Sequence, residues 1–143
     1  MSANKITQEY LKILGNENLG NYSLFVINYA NADMVGHTGS LEATKIACET
    51  IDSVLGKIVK KTLSVGGAIV ITADHGNAEE MLFSDGAIST EHSTNQVPFI
   101  VIAKNLANKD QVLPGGILAD VAPTILKLLN IDKPGEMTGR SLI

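Results

Sequence analysis

The chain is poor in several things that would have pointed elsewhere. It has one cysteine, Cys48, so no internal disulfide is available, and the composition suits a reducing cytoplasm. It has no basic excess: 11 Lys+Arg against 15 Asp+Glu leave a net charge of −4, which gives no electrostatic footprint for nucleic acid. It has no long hydrophobic run. Stretches such as Val97–Ala103, "VPFIVIA", fall far short of the ~20 residues a membrane span needs. The opening "MSANKITQEY" lacks the basic and apolar regions of a secretion signal, so the expectation is a cytoplasmic protein. No repeat, low-complexity tract or linker divides the 143 residues, and one unit over 1–143 is expected.

What is present is a globular pattern. Three short apolar runs read as buried strands: Ser23–Tyr29 "SLFVINY", Ala68–Ala73 "AIVITA" and Pro98–Ala103 "PFIVIA". Between the first two lies a long helix from Leu41 to about Leu63. Its apolar stripe is Ala47, Cys48, Ile51, Val54, Leu55, Ile58 and Val59, which places Cys48 in the core. Ser40 is the expected N-cap, and Gly66-Gly67 the stop. An earlier helix is expected to start at Thr7, with Ile6 and Leu11 as a hydrophobic staple, and to end at Gly15. A late helix runs from about Val121 to Leu129, capped by Asp120, with Pro123 in its first turn. This order predicts an α/β layered domain with a mainly parallel sheet, whose site lies beyond the carboxyl ends of the strands.

The polar residues bear on that rule. The first strand is followed by "NYANADMVGHTGS", with Asp33 and His37 four apart, and the second ends in Asp74-His75. The third is preceded by "STEHSTNQVP", carrying His92. The chain has three histidines, and all lie in loops touching a strand end. Taken singly, each of these five residues has an ordinary structural or surface reading, Asp74 as a loop acid capping a backbone N–H and His75 as a half-buried imidazole. Taken together they are oxygen and nitrogen donors suited to a divalent ion such as Zn²⁺ or Mn²⁺. Asp33 and His37 share a face if the segment is helical. Adjacent residues of an extended segment point to opposite sides, so spacing alone assigns Asp74 and His75 to different ions of a two-metal site with a separation of roughly 4 Å.

These same segments carry a resemblance. "NYANADMVGHTGS", "ITADHGNAEEM", "HSTNQVPFI" and "LADVAPTILKLLNIDKPGEMTGRSLI" resemble the cofactor-independent (2,3-bisphosphoglycerate-independent) phosphoglycerate mutases of the alkaline phosphatase superfamily, from the first residue to the last. The resemblance implies an alkaline-phosphatase-like three-layer α/β domain, incomplete at its N-terminal side, with the chain as the C-terminal segment of the phosphatase domain. It implies two divalent ions, Mn²⁺ with Zn²⁺ or Co²⁺ as alternatives. One is held by Asp33, His37 and His92, the other by Asp74 and His75. This overrides the opposite-sides assignment, because a turn at Gly76 brings both side chains together. It implies phosphoglycerate as the substrate of the full enzyme, which interconverts 3- and 2-phosphoglycerate through a phosphoserine.

In that family the serine nucleophile, a further aspartate, the arginines that hold phosphoglycerate and a lysine come from segments with no counterpart here. Arg140 is the chain's one arginine, so a paired arginine clamp is lacking. No catalytic residue is therefore assigned within these 143 residues, and the chain alone is expected to be an inactive fragment. Ala32 and Gln96 stand where the family commonly has proline, and Glu91 where it has a small residue. A sheet without its N-terminal strands is expected to expose apolar surface and to self-associate. The alternatives are a metal-binding or interaction module without catalysis, and another phosphotransferase of the superfamily. The "GEMTGRSLI" tail and "NADMVGHTGS" argue against the latter.

Overall fold

The computed structural model describes residues 2–15, 20, 22–106 and 112–143. Four helices and two strands follow in the order α1 (Ala3–Leu14), α2 (Asn31–Gly36), α3 (Leu41–Ser64), β1 (Ile69–Thr72), β2 (Phe99–Ile102) and α4 (Val121–Leu128). Short 3₁₀ turns at Lys104–Leu106 and Leu118–Asp120 complete the described elements.

α3 begins and ends where local chemistry dictates. The Ser40 hydroxyl accepts the Ala43 N–H at 3.3 Å, a cap on an otherwise orphaned donor. At the other end the Gly67 N–H bonds Thr62 O and the Gly66 N–H bonds Leu63 O, with Gly66 at φ +82°. That is a Schellman closure, and the left-handed Gly66 is the residue that permits it. The buried line along α3 is Thr44, Ala47, Val54, Ile58 and Thr62. Cys48 is exposed, contrary to the expected stripe. One step of 100° past Ala47 carries it off the buried line, which the threonines continue at both ends.

α1 starts earlier than expected, at Ala3 with Ser2 before it, and ends at Gly15. Thr7 lies inside the helix. Its hydroxyl donates to Ala3 O at 2.8 Å and meets the Tyr29 hydroxyl at 2.6 Å, so it ties α1 to the segment after it. α1 packs along α3 through Tyr10, Leu14 and Ile58, with Leu11, Phe25, Ile27, Tyr29 and Ile69 around them. The Tyr10 ring meets Phe25 edge-on at 5.2 Å, and its hydroxyl reaches Thr62 Oγ1 at 2.7 Å.

The segment Ser23–Tyr29, expected to be a strand buried on both faces, forms no strand and makes no backbone pairing among the described residues. Phe25, Ile27 and Tyr29 turn toward the helices, while Leu24 and Val26 face outward, Val26 at 85% exposure. Alternation of this kind is what a half-covered strand shows. Among the described residues no neighbouring strand satisfies its backbone.

β1 and β2 fall within the predicted runs, but they pair antiparallel, with Thr72 opposite Phe99 and Ile69 opposite Ile102. The expectation of a mainly parallel sheet is corrected for the described pair. A parallel neighbour requires a crossover, normally a helix. The chain between β1 and β2 makes turns and two isolated bridges, Gly76 with Ser93 and Leu82 with Ile88, but no helix, and returns to the end it left. The functional consequence is direct. The residues just after β1 and those just before β2 emerge at the same end of the sheet, so His75 and His92 come together.

The C-terminal tail is fastened by one carboxylate. Asp120 was expected to cap α4, but its side chain makes no cap bond to that helix. It accepts the Ile117 N–H at 2.9 Å and the Arg140 N–H at 2.7 Å, joining the chain before α4 to the tail. These two N–H groups, chiefly that of Arg140, hold the carboxyl below its ordinary range. Thr124, fully buried, donates to Asp120 O and accepts the Leu142 N–H.

Candidate metal centre

The site is assembled from three segments. α2 is a short helix, so Asp33 and His37, its C-cap, lie on one face four residues apart, as the spacing predicts. The bend after β1 supplies Asp74 and His75, and the loop before β2 supplies His92.

Asp33 Oδ1, His37 Nε2 and His92 Nε2 form a nearly equilateral triangle. Asp33 stands 3.3 Å from each imidazole nitrogen, and the two nitrogens are 3.2 Å apart. Ligand atoms about 2.0–2.1 Å from a tetrahedral ion stand roughly 3.3–3.4 Å from each other. The three atoms therefore have the mutual spacing of a first coordination shell.

The ring tautomers fit as well. His37 Nδ1 lies 2.6 Å from Thr90 O, and a carbonyl only accepts, so Nδ1 carries the hydrogen and Nε2 of the neutral ring offers its lone pair. His75 Nδ1 faces Gly76 O at 3.3 Å and leaves its own Nε2 free in the same way.

Asp74 and His75 are brought together, with Asp74 Oδ1 3.7 Å from His75 Nε2. The opposite-sides expectation fails here because the chain bends at these two residues instead of continuing the extended strand. Asp74 is largely open to solvent, its side chain 86% exposed. The His75 ring stacks on His92 at 3.8 Å, and the potential ligand atoms of Asp33, His75 and His92 all lie within 4.8 Å of one another. The five residues are thus one cluster, tight around Asp33, His37 and His92, and looser toward Asp74 and His75.

Three residues outside the five brace the cluster: Asn77, Gly36 and Glu79. Asn77 is buried, and its amide donates to Asp33 Oδ1 at 3.1 Å. A Cβ at Gly36 would overlap the Asn77 side chain, so the glycine between Asp33 and His37 makes room for that amide. The signal was in the "ADHGNAE" motif, but an asparagine's partner 44 residues away cannot be read from spacing. Glu79 takes a hydrogen bond from the Ser93 hydroxyl, the principal reason its carboxyl is lowered from 4.5 to about 2. Ser93, next to His92, is thereby tied to the turn that follows His75.

Beside the looser half of the cluster opens a cleft of about 1220 Å³. Asp74, His75, Ser93 and Asn95 line one part, and apolar side chains including Phe99, Ile117 and Leu142 line the rest. Asp33, His37 and His92 are not part of its wall.

A domain of helices on a short sheet, with a carboxylate–imidazole cluster at the strand ends, is the build of a metal-dependent enzyme. The family model that matches residues 1–133 is that of the metalloenzyme superfamily, and the chain belongs to it. Among individual proteins, it is 49% identical over 144 aligned residues to the 2,3-bisphosphoglycerate-independent phosphoglycerate mutase of Clostridium botulinum (strain ATCC 19397 / Type A), covering 100% of this chain and 27% of that protein. The mutase of the same name from Akkermansia muciniphila is also 49% identical, with 100% of this chain and 26% of the relative covered. A crystal structure of Leishmania mexicana phosphoglycerate mutase at low cobalt concentration superposes with a TM-score of 0.81 at 31% identity, over 96% of this chain and 27% of that one. The chain thus spans about a quarter of the length of these relatives, and its α/β fold is that of the corresponding part of the mutase. Among the described residues no helix is long and apolar enough to cross a membrane.

Proposed function

We propose that these 143 residues are the metal-binding part of a phosphoglycerate mutase that interconverts 3- and 2-phosphoglycerate. The observation that carries the reading is the Asp33–His37–His92 triangle, on a chain similar along its whole length to mutases of that name. Asp33, His37 and His92 hold one divalent ion, and Asp74 and His75 contribute to a second. Mn²⁺ is the proposed ion, with Zn²⁺ and Co²⁺ as alternatives. Such ions supply Lewis-acid neutralisation of phosphoryl oxygens. The chain's own contribution is to fix the donors. Thr90 O orients His37, Gly76 O orients His75, and the Asn77 amide orients the Asp33 carboxylate. The cleft beside Asp74 and His75 is proposed to receive the phosphoglycerate.

On this reading the 143 residues alone do not turn over substrate, since the family resemblance places the serine nucleophile and the phosphate-binding arginines in other segments. The purified chain with Mn²⁺ and 3-phosphoglycerate is expected to form no 2-phosphoglycerate in a coupled enolase assay. Measurable turnover would overturn the reading. A non-catalytic metal-binding module would share this inactivity. It is distinguished by co-expressing the remaining three quarters of a relative, which restores turnover only if this chain is part of the mutase.

The same reading accounts for the open segment Ser23–Tyr29. Its backbone, unpaired among the described residues, and outward Leu24 and Val26 are a surface for strand addition, so the isolated chain is expected to self-associate. Sedimentation velocity across a concentration series should show a rising mass. A monomer at the highest concentration counts against it.

A further inference from the structure

We propose that Glu79 is a positioning residue that locks the loop carrying His92 against the loop carrying His75, and so sets the spacing of the metal centre. The proposal rests on the metal-centre reading for its consequence, but its geometry stands on hydrogen bonds alone.

His92 lies in a loop without helix or strand, so its place must be set by bonds to something else. The Glu79 carboxylate faces both loops. Oε2 accepts the Asn77 N–H at 2.9 Å, inside the turn that follows His75, a turn closed by the Glu80 N–H to Asn77 O at 3.1 Å. Oε1 accepts the Ser93 hydroxyl and the Asn95 amide, the latter at 3.1 Å, from the loop that follows His92. Glu80 takes a second bond from the same Asn95 amide at 2.8 Å. A backbone bridge runs beside this clasp, from the Ser93 N–H to Gly76 O at 2.8 Å. Bonds to an ionised acceptor are roughly twice as strong as neutral ones, so the carboxylate is the dominant tie between the loops.

Gly76 is what lets the clasp close. A Cβ there would overlap both Ser93 Oγ and Glu79 Oε1. The residues directly tied are 76, 77, 93 and 95, each one to three positions from a ring of the His75–His92 stack. No bond of Glu79 goes to His75 or His92 themselves, so its effect is on their separation.

The test compares Glu79→Ala, Glu79→Gln and Ser93→Ala with the unaltered chain, each also on a His92→Ala background. In metal-free protein, contacts between the His75 and His92 ring protons are read by NOE. The contact seen in the unaltered chain should vanish in Glu79→Ala and persist, weakened, in Glu79→Gln, which keeps one acceptor oxygen. Titration with Co²⁺ should show about tenfold weaker binding for Glu79→Ala, the scale typical of residues that orient ligands. On the His92→Ala background the same substitution should cost nothing more, because the ligand it positions is gone.

A retained NOE in folded Glu79→Ala, or an equal loss of affinity with and without His92, would overturn the positioning role. Should Glu79→Ala fail to fold, Ser93→Ala cuts only the His92 side of the clasp and must show the same losses in smaller degree. If the unaltered chain bound no Co²⁺ while the NOE followed Glu79 as expected, the metal centre would fall and the positioning would stand.

Discussion

Replacing Asp33 with asparagine is expected to weaken divalent-metal binding more than 100-fold while leaving the metal-free fold almost unchanged. The substitution keeps an oxygen for the Asn77 amide, whose 3.1 Å bond to Asp33 Oδ1 a neutral carbonyl also accepts. It removes the one negative charge in the triangle formed with His37 and His92, and places an amide NH₂ among atoms that should all offer lone pairs. Residues that merely orient ligands cost roughly 10–100-fold when lost, so loss of a ligand's charge should exceed that range.

The effect is legible in stability as well. At a metal concentration 100 times its Kd, binding stabilises the native chain by about 2.7 kcal/mol; if Kd rises 100-fold the same concentration gives roughly 0.4 kcal/mol. Thermal melts with and without metal should therefore separate for the unaltered chain and nearly coincide for Asp33→Asn. An unchanged metal-dependent shift would remove Asp33 from the site.

Ile58→Ala should show the opposite signature, with a large loss of stability in the absence of metal. Ile58 is 5% exposed at the centre of the cluster where α1 and α3 meet the segment Ser23–Tyr29. Truncating a buried isoleucine to alanine costs about 2–5 kcal/mol, and the size depends on how far the neighbours collapse into the void. Here they are held. Tyr10 is tied to Thr62 by its hydroxyl and set edge-on against Phe25, and Tyr29 is tied to Thr7. Moving either tyrosine to fill the space would break a hydrogen bond, so a value of about 3 kcal/mol is expected, or roughly 10 °C in Tm for a chain of this length. A loss below about 1 kcal/mol, measured by urea unfolding, would show that this cluster is not the principal core.

The two substitutions also mark which parts of the molecule were legible beforehand. α3 was predictable within a residue at each end because its limits are short-range events. A hydroxyl at Ser40 reaches three residues along the chain, and a glycine at position 66 adopts a left-handed conformation that most residues avoid. Ala68–Ala73 and Pro98–Ala103 were located as strands because a run of apolar, β-branched residues carries its own preference. The helical turn that joins Asp33 to His37 is local in the same sense. All five residues singled out lie in one cluster in the fold.

Tertiary structure alone decided the rest, because the deciding partners are far apart in sequence. The antiparallel return of β2 beside β1 depends on a connection whose path no periodicity records. Cys48 is exposed because the helices choose one stripe of α3, and its neighbour Ala47 took the place. Ser23–Tyr29 has the composition of a strand but finds no partner among the described residues, since pairing is a property of two segments and not of one. The bend at Asp74-His75 and the Glu79 clasp on Ser93 and Asn95 have the same origin. Taken by itself, the sequence determined the donors and the local turns that carry them. How Asp33, His37 and His92 stand to one another, at 3.2–3.3 Å, was settled by long-range packing and hydrogen bonds that bring residue 33 to residue 92.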